Sequence, residues 1–139
     1  MQYVDFGKTG VKVSRLGMGC MRLPGDEVDG KTIYDEDKGI ALIQRAMDLG
    51  INYFDTAPYY CDRQSEIILG KALKGGRREK IQLSTKNPVE NDSGDDYEKR
   101  LEKSLKQLDT SSIDFYHFWG VSLKNFNERV LAKDGPCRT

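Results

Sequence analysis

Polar and hydrophobic positions alternate near the start of the chain, and later the hydrophobic positions recur at helical spacing. Within residues 1–16, hydrophobic and polar residues alternate on both sides of the turn sequence Gly7-Lys8-Thr9-Gly10, and this pattern predicts a β-hairpin. The apolar run over 16–23 predicts a short buried strand. It leads into 24–35, where glycine, proline and acidic residues predict an exposed loop.

From residue 36 onward, helical and strand-like segments follow one another, with about 30 residues in each strand–helix unit. Helices are predicted over 36–49, 65–73, 93–108 and 125–131, and strands over 51–57, 81–86 and 113–119. Ser65 and Ser93 are in position to cap the second and third helices. This alternation is typical of an α/β fold with a parallel sheet and right-handed crossovers.

Two architectures have this alternation of strands and helices, the doubly wound open sheet and the (β/α)8 TIM barrel. A doubly wound nucleotide-binding sheet calls for G-x-G-x-x-G after its first strand. Here Gly17-Met18-Gly19 is followed by Cys20-Met21-Arg22, so the third glycine is absent. The sequence therefore favours the barrel, and four βα units with an N-terminal β-hairpin are predicted.

Composition restricts the class of protein. The 139 residues are expected to form a single, incomplete domain, 1–139. They include 22 basic and 22 acidic residues and carry no net charge, which argues against nucleic-acid binding. No apolar run is long enough to cross a membrane, and the N-terminus does not resemble a secretory signal. Cys20, Cys61 and Cys137 form no CxxC motif, which predicts reduced thiols in a cytoplasmic protein and no metal site.

Candidate chemistry lies where the predicted strands end. Asp55 and Tyr60 follow the second strand, Lys86 ends the third, and His117, the only histidine, lies in the fourth. Taken singly, each is more often a turn, packing or solvated residue than a catalyst. In a parallel α/β fold, however, the ends of successive strands face one cavity, so the four side chains are expected to converge.

Such a group suits the reduction of a carbonyl. An Asp–Lys pair can be held partly buried, and an ammonium near a phenol stabilises the phenolate. Tyr60 would then be a general acid for a carbonyl oxygen whose carbon receives a hydride.

These residues lie in segments that resemble the aldo/keto reductase family. The segments are FDTAPYY at 54–60, LSTK at 83–86 and KTGVKVSRLGMGCMRLP at 8–24, in the family's order and spacing. The resemblance is greatest to the bacterial branch whose longer members carry a C-terminal iron–sulfur segment, although this sequence has no such cysteine cluster.

The resemblance implies an NADP-dependent oxidoreductase that reduces aldehydes or ketones to alcohols. Tyr60 would protonate the carbonyl, and Lys86 would tune the acidity of Tyr60. Asp55 would hold Lys86 in place, and a histidine would orient the substrate. The nicotinamide of NADP(H) would lie near Asp55 and the loop Cys20-Met21-Arg22. A small carbonyl compound is the expected partner.

Two departures from the family pattern are visible. The family histidine usually follows the strand-four aspartate, here Asp114, by five residues, and that position is Trp119. His117 lies two residues earlier, on the same side of a strand and about 6.6 Å away along it. Either His117 orients the substrate, or it packs as core while Trp119 lies in the site.

The second departure is length, because a full barrel needs about 250 residues. Four units leave two open strand edges, an aggregation hazard unless they are paired. Either the chain is truncated, or a second copy or another partner completes the barrel. A non-catalytic half-barrel remnant or assembly module is the alternative function, and a dehydrogenase using Tyr34-x-x-x-Lys38 is a weaker one.

Overall fold

The computed structural model describes residues 1–89 and 93–137, which contain eight strands and four helices. The strands are β1 (Tyr3–Asp5), β2 (Lys12–Ser14), β3 (Met18–Gly19), β4 (Gly25–Val28), β5 (Lys31–Tyr34), β6 (Tyr53–Asp55), β7 (Gln82–Pro88) and β8 (Phe115–Trp119). The helices are α1 (Glu36–Asp48), α2 (Ser65–Ala72), α3 (Gly94–Leu108) and the single turn α4 (Leu123–Asn125), which a π-helical turn over Phe126–Val130 continues.

The central sheet has the strand order of a barrel. Its four strands are β3, β6, β7 and β8, each parallel to the next, and their order in space is their order along the chain. A doubly wound sheet would reverse its order at a switch point. The structure confirms the predicted fold class, the first four βα units of a (β/α)8 barrel behind an N-terminal hairpin.

The hairpin β1–β2 is fastened to the sheet beside the N-terminal end of β6. The Asn52 side chain accepts a hydrogen bond from the backbone N–H of Ser14 and donates one to the carbonyl of Lys12. The Phe6 ring packs between Tyr53 and Phe115, with ring centroids 5.9 and 4.5 Å away. The hairpin therefore closes the end of the barrel opposite to the one where the strands finish.

Helices cover the outer face of the sheet and form the core with it. Phe54 and Leu83 are fully buried there, together with Ile43 of α1, Leu69 of α2 and Leu108 of α3. Apolar burial of this kind is the main driving force for the fold.

Side-chain caps fix where two of these helices begin. The Asp35 carboxylate accepts from the N–H of Lys38, and Ser93 forms a reciprocal capping box with Asp96. The predicted starts of α1 and α3 are confirmed.

The segment predicted as an exposed loop over 24–35 is instead a second hairpin. β4 and β5 pair antiparallel through a turn at Asp29-Gly30, where both residues have positive φ. All four residues of β4 are exposed, so neither face of the ribbon produces a hydrophobic pattern. The sequence Asp29-Gly30 could have predicted this hairpin, because both residues tolerate the φ values of a type I′ turn.

Two smaller predictions differ from the structure, one in a helix cap and one in the start and type of a helix. Ser65 does not cap α2, because its hydroxyl donates to the carbonyl of Cys20, and no side chain in the described part of the chain caps this helix. The helix predicted from Asn125 to Leu131 begins earlier, and it widens into a π-helical turn after one α-helical turn.

Gly70→Ala is expected to lower the free energy of unfolding by about 1–3 kcal/mol. Alanine is the better helix former by about 1 kcal/mol, so propensity alone predicts the opposite sign. A Cβ on Gly70, however, would lie 2.5 Å from the carbonyl oxygen of Leu108, which is backbone and cannot rotate away. Urea denaturation of both proteins measures the difference.

Gly39→Ala is the matched comparison. A Cβ there would meet the Cγ2 atom of Ile68 at 3.0 Å, a side-chain contact that is less close than the 2.5 Å backbone contact at Gly70. The loss should therefore be smaller at Gly39. If the Gly70→Ala variant is as stable as the Gly39→Ala variant, or more stable, then α2 and α3 are packed less closely than these distances require.

Candidate active site

The inner face of the sheet carries the predicted catalytic side chains. Successive strand residues point to opposite faces, and the buried Phe54 and Leu83 mark the face toward the helices. Asp55 and Lys86 therefore project from the inner face, and the β7–β8 register places His117 beside Lys86. All three lie toward the strand ends at which parallel barrels carry their active sites.

Asp55 and Lys86 form an ion pair. The Lys86 Nζ donates to Asp55 Oδ2 at 2.5 Å and to the carbonyl oxygen of Thr56 at 2.8 Å. The Lys86 side chain is 14% exposed and that of Asp55 is 32% exposed, so the pair is partly buried. The Ser84 hydroxyl donates to Asp55 Oδ1 at 2.9 Å, so both carboxylate oxygens have a donor.

Ser84 and Thr56 belong to the site but were not predicted from the sequence. Ser84 could have been found, because it precedes Lys86 by two residues on the same strand and so shares its face. The carbonyl of Thr56 could not, since every residue has one and its direction depends on the local backbone.

Tyr60, on the turn after β6, lies beside the ion pair. The Lys86 Nζ is 4.9 Å from the centroid of its ring, a cation–π distance. Trp119 packs edge-on against the Tyr60 ring with centroids 6.3 Å apart, and Tyr59 lies 6.0 Å from the same tryptophan. The expected convergence of Asp55, Lys86 and Tyr60 is therefore present, although the ammonium meets the ring face of the tyrosine.

His117 and Trp119 share the inner face but occupy different depths. His117 is exposed and stacks on Phe115, with ring centroids 6.4 Å apart and an interplanar angle of 7°. Trp119 is the one in ring contact with Tyr59 and Tyr60. The residue at the position of the family histidine thus touches the predicted acid, and a role for His117 in orienting a substrate stays a prediction.

The loop after β3, predicted to contact the cofactor, divides into a buried and an exposed part. The Cys20 side chain is fully buried, and desolvation, with a smaller effect of the nearby Asp55 charge, raises the pKa of its thiol to about 12. Its backbone N–H donates to the carbonyl of Asp55, which ties the loop to β6. Met21 and Arg22 are exposed, so only they present side chains to solvent.

The turn that carries Tyr60 is held in an unusual conformation. Cys61, Asp62 and Arg63 follow it with φ of 51°, 49° and 70°, a run of left-handed residues without glycine. The Cys61 thiol lies 3.4 Å from the carbonyl oxygens of Cys20 and Met21, and so connects this turn to the loop after β3. Strain of this kind persists only where surrounding contacts over-determine the backbone.

Tyr34 and Lys38, considered as an alternative catalytic pair, have other roles. Lys38 forms an ion pair with Asp35 at the start of α1, and Tyr34 packs against the hydrophobic core. Neither contact supports a dehydrogenase site there.

Behind Lys86, a buried carboxyl lies between the sheet and α2. Glu66 is 1% exposed, and its Oε1 accepts a hydrogen bond from the Thr85 hydroxyl at 2.8 Å. Its Oε2 is buried and has no hydrogen-bond partner among the described residues. Desolvation raises the pKa of Glu66 above its ordinary value of 4.5, against weaker opposing effects of Thr85, Ser104 and two lysines.

Glu66→Gln is expected to stabilise the protein, and increasingly so as the pH rises. Because folding raises the pKa, the stability that Glu66 contributes is fully present below about 4.5, its unfolded value, and is lost as the pH rises through the folded value. A neutral amide of the same shape avoids that loss. Denaturation of both proteins at mildly acidic and mildly alkaline pH measures the difference in their free energies of unfolding. The same substitution at the exposed Glu102 should change little at either pH, and a pH-independent Glu66→Gln effect would contradict the assignment.

Comparison with known proteins identifies the family. The model of the aldo/keto reductase family matches residues 15–125. Probable aldo-keto reductase 1 of Glycine max is 38% identical over 126 residues, which are 84% of this chain and 36% of that protein. The chain therefore belongs to the aldo/keto reductase family, whose members are oxidoreductases, and it spans about a third of the length of this curated relative.

Solved structures support the same fold. Aldo-keto reductase AKR11C1 from Bacillus halodurans, in its holo form, matches with a TM-score of 0.77 and 31% identity over 92% of this chain and 43% of that one. An aldo/keto reductase from Klebsiella pneumoniae in complex with NADP and acetate matches with a TM-score of 0.67 and 24% identity over 78% and 36%. The latter likeness concerns the fold alone.

The described segments, 1–89 and 93–137, contain neither a membrane-spanning helix nor a cluster of metal ligands. None of their helices combines the length and hydrophobicity that a membrane crossing requires. In the same segments, no cluster of three or more His, Cys, Asp or Glu side chains is suited to hold a metal ion.

Proposed function

We propose that this site reduces a small aldehyde or ketone to an alcohol, with NADP(H) as the hydride donor. The observation that carries the proposal is the contact of Asp55, Lys86 and Tyr60 on one inner face, at the ends of β6 and β7. The family relationship supports it. NADP(H) is chosen because it is the cofactor that the family resemblance implies.

The residues around this face fit a dinucleotide. The exposed Met21 and the cationic Arg22 follow β3, and the Asp55–Lys86 pair lies on the adjacent strands. Arginine is suited to phosphate oxygens, while an apolar side chain can lie against a nicotinamide ring. Met21 and Arg22 would hold the cofactor beside Asp55, and the fully buried Cys20 side chain would support their loop. Bound there, the reduced nicotinamide supplies the hydride.

Tyr60 supplies the proton. As the carbonyl carbon gains a hydride, its oxygen gains negative charge, and the Tyr60 hydroxyl donates its proton to that oxygen. The carbonyl double bond becomes a C–O single bond and tyrosine becomes a phenolate. The ammonium of Lys86 stabilises that phenolate, and Asp55 keeps the ammonium in place through the 2.5 Å hydrogen bond.

The substrate is proposed to lie against aromatic surface. Tyr59 and Trp119 are both exposed and flank Tyr60 on the open side of the inner face. Their rings favour a small compound with an apolar part next to its carbonyl. His117, one step deeper on the same strand, is proposed to contact the part of the substrate that points into the barrel.

Turnover tests the proposal directly. The purified chain is mixed with NADPH and a panel of small aldehydes and ketones, and the absorbance of the reduced nicotinamide is followed. Loss of that absorbance which depends on the carbonyl compound is the expected result. A folded chain that oxidises no NADPH with any of them would overturn the proposal and leave the non-catalytic half-barrel as the better account.

A further inference from the structure

The first two residues of α2, Ser65 and Glu66, are polar and yet are buried against the sheet. Ser65 is fully buried and Glu66 is 1% exposed. The Oε2 atom of Glu66 has no hydrogen-bond partner among the described residues. Burying such groups costs stability, and apolar residues of similar shape often serve a fold as well or better. Two adjacent polar side chains in this place therefore call for a role beyond packing.

Ser65 connects α2 to two of the strands that carry the site. Its hydroxyl donates to the carbonyl oxygen of Cys20, in the loop after β3, at 2.7 Å. Its oxygen also lies 2.7 Å from Thr56 Oγ1. Because the single hydroxyl proton of Ser65 goes to Cys20, Thr56 is the donor in the second bond. Ser65 thus holds both the loop predicted to contact the cofactor and the residue whose carbonyl accepts from Lys86.

Glu66 makes the same kind of connection to the third strand. Its Oε1 accepts from the hydroxyl of Thr85 at 2.8 Å, and Thr85 is fully buried. Thr85 lies between Ser84 and Lys86 on β7. These two neighbours project from the opposite face, where both donate to Asp55. A hydrogen bond that fixes Thr85 from behind therefore fixes the part of the strand from which Lys86 extends.

The turn with Tyr60 is tied to the same point. The backbone N–H of Ser65 donates to the carbonyl oxygen of Tyr60 at 3.3 Å. The start of α2 is therefore bonded to the loop after β3, to the end of β6, to the turn after it and to β7. These are the four segments from which the side chains of the candidate site extend.

We propose that Ser65 and Glu66 are positioning residues for the Asp55–Lys86 pair and for the loop after β3. They act through the residues that they bind, and neither touches the reacting atoms. That the pair is catalytic rests on the proposed function, whereas the positioning itself does not. It can therefore be measured without cofactor or turnover.

The ammonium of Lys86 reports on its own position. With isotope-labelled lysine, the Nζ resonance of Lys86 is the one that Lys86→Met lacks, and it depends on the hydrogen bonds to Asp55 and Thr56. Thr85→Val keeps the shape of the side chain and removes the hydroxyl, so this resonance should shift or be lost through exchange with water. Thr85→Ser keeps the hydroxyl and should restore the wild-type resonance.

A double variant separates positioning from stability. Glu66→Met with Thr85→Val replaces both partners of the hydrogen bond by apolar groups of similar shape, which is often neutral or stabilising. We expect it to be folded by circular dichroism and still to lack the wild-type Lys86 resonance. Ile43→Val is the control, because it destabilises the buried core at α1 without touching these bonds. Its Lys86 resonance should be unchanged.

Ser65→Ala tests the connection to the loop after β3. The backbone N–H of Cys20 donates to the carbonyl of Asp55, and Ser65 holds Cys20 from the other side. Without that bond, the Cys20 amide should exchange its hydrogen about 10-fold faster, relative to the amides of α1. Ile43→Val should leave this ratio unchanged.

Turnover is the second readout. If the chain reduces carbonyl compounds, Thr85→Val should lower kcat by about 10–100-fold with little change in KM, because Lys86 is misplaced. A wild-type chain that oxidises no NADPH overturns the proposed function, and the resonance and exchange measurements still decide the positioning. An unchanged Lys86 resonance in the folded Thr85→Val and double variants overturns the role of Glu66. An unchanged Cys20 exchange ratio in Ser65→Ala overturns that of Ser65.

Discussion

Tyr60→Phe is expected to lower the rate of carbonyl reduction by about 10²–10⁴-fold, the usual contribution of a general acid. The phenylalanine ring keeps the contacts with Lys86 and Trp119, so fold and cofactor affinity should not change. Only the proton that the carbonyl oxygen needs is removed. Single-turnover rates with NADPH in excess measure the chemical step, and a fluorescence titration measures cofactor binding.

Tyr59→Phe is the matched control. Tyr59 is the adjacent residue, it packs on the same tryptophan, and its ring also faces a cation, that of Arg63, at 4.9 Å. It differs in lying away from the Asp55–Lys86 pair. Its substitution should leave the rate nearly unchanged, and equal losses in the two variants would contradict the assignment of Tyr60 as the acid.

Lys86→Met is expected to reduce turnover by at least about 100-fold and also to lower the free energy of unfolding by about 1–3 kcal/mol. The variant removes the cation that stabilises the phenolate. It leaves Asp55 Oδ2 without its donor in a partly buried place, and the carbonyl of Thr56 loses its side-chain partner. Denaturation and steady-state kinetics measure the two effects separately.

Two further variants separate stability from catalysis. Lys71→Met breaks the more exposed ion pair with Glu36 and should cost no more than about 1 kcal/mol. Adding Asp55→Asn to Lys86→Met removes the unpaired carboxylate, so the double variant should regain stability without regaining activity. If Lys86→Met costs no more stability than Lys71→Met, the Asp55–Lys86 pair does not hold the site together.

Much of the fold could be predicted because its strands are buried on at least one face. The runs at 51–57, 81–86 and 113–119 contain the residues that pack against helices, and the structure places β6, β7 and β8 within them, except for the last two residues of β7. The hairpin β4–β5 could not be found in this way, since all of β4 and alternate residues of β5 are exposed. Its turn residues, Asp29 and Gly30, were the only evidence for it.

The site was predictable to the extent that it consists of strand-end residues. Asp55 and Lys86 face each other because of alternation and register, which a sequence pattern encodes. The position of Tyr60 depends on a turn of three left-handed residues, Cys61 to Arg63, that no pattern indicates. For this reason the contact between the Lys86 ammonium and the tyrosine ring face was not foreseen.

Binding of NADPH tests the central claim most directly, since the proposed chemistry requires a cofactor on the same face as Tyr60. The chain has one tryptophan, Trp119, and its ring packs against Tyr60, so its fluorescence reports on this site. We expect a saturable change in Trp119 emission as NADPH is added to a folded, size-checked sample. A folded sample whose emission shows no saturable change would contradict the proposed chemistry, because the catalytic side chains would then be present without a cofactor site.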